Sequence, residues 1–125
     1  MVPEVNLDKI DTEVYWLALN ERHNVIQADR VAFAEKELGS MSAVWTASPD
    51  SLRRLGFHDF AVSEFLKLKS RIRLDELASK VRNLRRNGVT IMKYTDDTYP
   101  KLLRTLSSQR EGAPLILFHR GTLLD

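Results

Sequence analysis

From Asp11 to Gly88 the apolar residues return at helical spacing, and that periodicity most constrains what this chain can fold into. Phe57, Ala61, Phe65, Leu68 and Ile72 follow one another at i, i+4, i+8, i+11 and i+15. Leu74, Leu77, Val81 and Leu84 repeat the period until Asn87-Gly88 stops it. Upstream, Asp11 or Thr12 can cap a helix running to about Asn20, which would bury Val14, Trp16 or Tyr15, Leu17 and Leu19. A second pattern covers Ile26 to Leu38, with Val31, Ala34 and Leu38 at core spacing and Gly39 as its stop. Met41 to Thr46 reads as a short turn of helix that places Val44 and Trp45 in the core. Ser48-Pro49 opens a brief helix, because serine accepts free N–H groups and proline suits the first turn. Residues 1–10 therefore read as an irregular arm and residues 11–88 as a bundle of five or six helices.

At residue 89 the pattern changes. Thr90 to Lys93 and Leu115 to Phe118 read as short strands. Between them Pro100 opens a helix running Lys101 to Leu106, whose Leu102, Leu103 and Leu106 would face the sheet. Two strands and one short helix cannot cover both faces of a sheet, and an isolated strand pair is marginal. The unit 89–125 therefore either packs against the bundle or begins a larger α/β domain.

Composition sets the class. The 125 residues are 43% hydrophobic and 29% charged, as in a water-facing globular protein. No apolar run approaches the ~20 residues of a membrane span, and the acidic start lacks the basic and apolar regions of a signal peptide. Zero cysteines leave no disulfide and make a zinc site improbable, so a reducing, cytoplasmic setting is expected. The net charge of +2 hides an asymmetry. Residues 1–52 hold 4 Lys/Arg against 9 Asp/Glu, whereas residues 53–104 hold 13 against 6. Such a division suits a face for a polyanion or an acidic partner.

The basic segment Lys67, Lys69, Arg71, Arg73, Lys80, Arg82, Arg85, Arg86 carries the candidate nucleic-acid-binding residues. Arg82 and Arg86 share a helix face, with Arg85 beside them. A row like this can neutralise phosphates without reading bases. It reads equally as a solvated face paired internally with Asp75, Glu76 and the acidic first half, or as a dock for an acidic protein patch. Leu52-x-x-Leu55-Gly56-Phe57 and the helix after it resemble a helix-hairpin-helix turn, in which backbone N–H groups hold a phosphate. Here Phe57-His58-Asp59 replaces the second glycine and brings an acid, which favours a structural hairpin over a phosphate clamp. Trp16, Trp45, Tyr15, Phe57 and Phe65 sit on apolar stripes and read as core rather than as stacking platforms. Asp96-Asp97 reads as turn and cap chemistry. His23, His58 and His119 are scattered, and no catalytic triad, phosphate loop or dinucleotide fingerprint is present, so neither an enzyme nor a cofactor or metal site is expected.

The order Tyr94, Asp96, Asp97, Tyr99-Pro100, Leu102-Leu103, Pro114, Leu117, Arg120-Gly121 resembles the opening of the nucleotide-binding-like domain of the DprA/Smf DNA-processing family. Tyr15-Trp16-Leu17-Ala18-Leu19-Asn20, Gly39-Ser40, Val44-Trp45 and Leu55-Gly56 sit where that family's N-terminal helical domain would put them. The implied fold is mainly α: a SAM-like/helix-hairpin-helix bundle followed by the first strand-helix-strand of an incomplete Rossmann-like domain. The implied function is protection of incoming single-stranded DNA and its delivery to a RecA-type recombinase in natural transformation, with a homodimer in the full-length protein. The family's main DNA pocket would lie beyond Arg120-Gly121, leaving this portion as scaffold with auxiliary DNA contacts at most. The alternative is a SAM-like protein–protein interaction module with a basic docking face.

Overall fold

The computed structural model describes residues 10–104 and 113–120. Six helices come first: α1 Thr12–Asn20, α2 Ala28–Leu38, α3 Met41–Trp45, α4 Pro49–Arg54, α5 Asp59–Arg71 and α6 Leu74–Arg86. Strand β1 Val89–Lys93, the single turn α7 Lys101–Arg104 and strand β2 Ile116–Arg120 complete the described elements. Their stops and starts obey local chemistry. Gly39 takes φ 91°, the left-handed conformation that closes α2, and its N–H donates to the Glu35 carbonyl. The Ser40 and Ser48 hydroxyls accept from the N–H groups of Ala43 and Ser51, capping α3 and α4. Asp11 occupies the cap position of α1, yet its side chain makes no cap hydrogen bond there. It reaches Arg85 at 3.1 Å instead.

Helix α1 is the centre of the molecule. Val14, Tyr15, Trp16, Ala18 and Leu19 are all buried, so this helix is covered nearly all round rather than along one stripe. The adjacent rings of Tyr15 and Trp16 serve two different clusters. Tyr15 meets Trp45, which packs on Phe65, itself against Phe57, at centroid separations of 5.8–6.4 Å. Trp16 stacks on Tyr94, which meets Tyr99 edge-on at 5.3 Å. One aromatic chain thus ties the bundle together, and the other ties the bundle to the segment after β1. Both belong to a single contiguous core that includes Ala113, Leu115 and Ile116.

The strand–helix–strand order expected from the sequence is present. The strands pair antiparallel, with Val89 opposite Arg120, Ile91 opposite Phe118 and Lys93 opposite Ile116. A doubly wound sheet joins consecutive strands in parallel through a crossover helix, so the pairing here is of another kind. Past the strand ends, the Tyr94 N–H donates to the Leu115 carbonyl, and the Leu115 N–H donates to Asn20 Oδ1 (both 2.9 Å). The sheet lies over α1 and α6.

Two placements differ from expectation. Leu38, expected at a core position, is 38% exposed, because α2 ends there and Gly39 turns the chain away. Leu102, expected to face the sheet, is 84% exposed. A single helical turn has one inward side, and Arg104 takes it, donating to the carbonyls of Tyr94 and Asp96 (2.9 and 2.8 Å). Leu103 is partly buried, and Leu106 lies outside the described residues.

Candidate nucleic-acid interface

The glycine turn between α4 and α5 uses its own backbone donors. The Gly56 N–H donates to the Arg53 carbonyl and the Phe57 N–H to the Leu52 carbonyl, with Gly56 at φ 99°. These are the two bonds of a Schellman closure, and the accompanying apolar contact is supplied by Leu52 and Phe57, both buried. The Gly56 and Phe57 N–H groups are thus used in closing α4 and are not turned to a phosphate. Asp59, in the first turn of α5, is held by Arg53 at 2.9 Å, which adds a carboxylate where an anion would have to approach. Both contacts favour a structural hairpin over a phosphate clamp.

Arg30 seals the turn from outside: its guanidinium donates to the Leu55 carbonyl and lies over the Phe33 ring at 5.4 Å. A methyl group on Gly56 would meet that guanidinium at 2.9–3.2 Å. Gly56→Ala therefore combines left-handed strain of about 1–2 kcal/mol with displacement of Arg30. We expect its unfolding midpoint to fall by about 4–8 °C in a calorimetric scan. Gly39→Ala, at φ 91° with open space around it, carries the strain alone and is the control. A loss at Gly56 no larger than at Gly39 would show that the Arg30 contact contributes nothing.

Half of the eight basic residues are held in ion pairs among the described residues. Lys67 pairs with Glu64, which also holds Arg22. Arg71 closes α5 and pairs with Glu21 at 2.7 Å. Arg73, just before α6, lies 3.5 and 3.8 Å from Asp75 and Glu76. At the far end of α6, about 18 Å away at 1.5 Å per residue, Arg85 turns back to Asp11 and Glu13. Arg82 donates to the Ser79 hydroxyl. Lys69, Lys80 and Arg86 make no ion pair among the described residues. Acids of the first half hold Arg71 and Arg85, while Lys67 and Arg73 pair with acids of their own segment. The cations of the Lys67, Arg71, Arg73 and Arg85 pairs face solvent, although Glu64 and Glu13 are largely covered. An exposed pair contributes about 1 kcal/mol at most, so phosphates could compete for these cations, but only by displacing carboxylates already in place.

Asp96 performs turn chemistry. Its carboxylate accepts from the Lys93 N–H at 2.8 Å and pairs with the Lys93 ammonium at 3.3 Å. Tyr99 is buried, with its hydroxyl donating to the Pro114 carbonyl at 2.7 Å and the Arg104 guanidinium 5.5 Å from its ring. Burial, with Tyr94 beside it, pushes the Tyr99 phenol up to about 12, partly offset by Arg104. Burial likewise raises the Glu35 carboxyl, offset in part by the charge of Lys93 and by the Trp16 indole. A raised carboxyl favours the protonated form in the folded state. Its stabilising contribution is complete below the unfolded pKa and is lost as pH rises through the folded one. Glu35→Gln keeps the neutral form, so we expect it to stabilise the protein at pH 7 and to make no difference near pH 4. Urea titrations at the two pH values check this, and equal effects at both would contradict it. Among the described residues no His, Asp and Glu cluster could hold a metal ion, and no helix is long and apolar enough to cross a membrane.

A feature that sequence reading missed lies on the other side of α6. A half-open groove of about 580 Å³ runs between α1, α6 and the sheet, lined by Leu17, Ile72, Leu77, Leu84, Val89 and Phe118. Lys80 stands on its rim. Two more aromatics passed over in the sequence, Phe33 and Phe60, are 43% and 60% exposed. The signal for both was their position off the apolar stripe, two residues after Val31 and one before Ala61. The other aromatics read as core, Trp16, Trp45, Tyr15, Phe57 and Phe65, are all buried. No protein-family model, curated protein or solved structure matches this chain.

Proposed function

We propose that this chain is the helical, mainly scaffolding portion of a DprA/Smf-like DNA-processing protein, which positions a single-stranded-DNA-binding domain and supplies auxiliary DNA contacts at most. The observation that carries the reading is the junction after β1. The residues that bear the resemblance act there as one unit: Asp96 makes the turn, Tyr99 bonds Pro114, and Tyr94 joins Tyr99 to Trp16 of the bundle. The internal pairing of Lys67, Arg71, Arg73 and Arg85 supports a scaffold over a dedicated DNA face. Lys69, Arg82 and Arg86 are the cations left for auxiliary contacts. The delivery of DNA to a RecA-type recombinase belongs to the same proposal.

Fluorescence anisotropy of labelled oligo-dT against this chain tests it. Weak binding at low salt, lost at moderate salt and abolished in Arg82→Glu/Arg86→Glu, is the expected result. Tight binding that survives moderate salt would overturn the scaffold reading. A second reading, a protein-interaction module, is favoured by the apolar groove beside α6.

A further inference from the structure

We propose that the groove between α1, α6 and the sheet docks one amphipathic helix of a partner protein, carrying apolar anchors and a carboxylate on the same face. The inference rests on the interaction-module reading and names its partner chemistry. Leu77 and Leu84 lie two helical turns apart on α6, about 10 Å along the axis. That span matches the i, i+4, i+7 anchors that an amphipathic helix lays into a groove. Leu17, Ala18, Val89 and Phe118 extend the apolar lining, with Asn20 and His119 beside them, and Phe118 is 47% exposed.

Charge selects the occupant. Glu21 also lines the groove, but it is bound by Arg71, so it neither repels an acid nor needs a cation. Lys80 sits between Leu77 and Leu84 in the sequence, is exposed, and has no carboxylate within ion-pair distance among the described residues. A smaller pocket shares Ile72, Leu77 and Lys80 with the groove and adds Arg71, Arg73 and Glu76. Arg71 is bound by Glu21 and Arg73 lies beside Asp75 and Glu76, which leaves Lys80 as its unpaired charge among the described residues. An acidic side chain placed among the anchors would meet Lys80. The half-open form favours a helix over a small amphiphile, because small ligands are held where most of their surface is covered, whereas a docked helix keeps its other face in water.

The test is a titration of the ¹⁵N-labelled full chain with a synthetic amphipathic helix of about four turns, bearing leucines at i, i+4 and i+7 and glutamate at i+3. Amide shifts should concentrate at Leu77, Lys80, Leu84 and Phe118. Lys80→Glu should weaken binding about tenfold at low salt, and a peptide with lysine in place of the glutamate should restore it. Phe118→Asp should weaken both peptides while leaving the melting temperature within a few degrees. Shifts confined to the Arg82/Arg86 end would overturn the groove assignment and leave the interaction reading standing. Binding nowhere would remove both. Decanoate shifting the groove residues while the peptide does not would assign the groove to a small amphiphile and overturn the proposal. Affinity insensitive to Lys80→Glu would overturn the charge argument.

Discussion

Trp16→Ala is expected to lower the unfolding midpoint by about 10–20 °C, the equivalent of about 3–5 kcal/mol for removing a fully buried tryptophan. Trp16 has no exposed surface and stacks on Tyr94 at 6.5 Å with ring planes 24° apart. Its removal takes away core volume and also the aromatic link between the bundle and the strand pair. The consequence should be uneven. The Tyr94 N–H, bonded to Leu115, should exchange with solvent much faster in the variant, while Leu68 and Phe65, deep in α5, should lose only the global share of protection. Trp16→Phe, which keeps a ring against Tyr94, should recover more than half of the loss. If Tyr94 and Phe65 lost protection in step, the stack would be ordinary core packing and not a coupling element.

Asn20→Ala should cost about 1–3 kcal/mol, the range for a buried backbone donor left without a partner. The side chain of Asn20 ends α1 and accepts the N–H of Leu115, a residue with no exposed surface. Asn20→Asp retains an acceptor oxygen and should stay close to the parent protein. Denaturant midpoints with a common slope measure both. Asn20 also lines the groove, so water has a route to this site. A loss well below about 1 kcal/mol would mean that a water molecule takes over the acceptor role.

Much of the helical part was legible because its signals are local. Gly39, Gly56 and Gly88 stop helices where the periodicity fades, and all three adopt positive φ. Ser40 and Ser48 cap the next helices, α3 and α4. The choice between Tyr15 and Trp16 as the buried ring of α1 had no local answer, since both are buried by different neighbours distant in sequence. Leu102 misled for a related reason: one turn of helix has no stripe, and the inward place went to an arginine that satisfies two carbonyls. The charge asymmetry along the chain is partly offset by ion pairs between its two halves. Folding brings Glu21 to Arg71, and Asp11 and Glu13 to Arg85, across 50 to 74 residues. The groove was invisible for the same reason, being assembled from α1, α6 and β2, elements with no shared periodicity.

The bond between Asn20 and Leu115 joins residues 95 positions apart and has a consequence in time. During synthesis at about 5–20 residues per second, the finished α1 waits roughly 5–20 s before its last covering strand is made. For about 4–15 s of that interval Trp16 lacks Tyr94, and the ribosome-bound chain shows an apolar flank that its own later segment will claim. A factor that shields nascent apolar surface would meet this protein early, on α1, and be released once β2 is made.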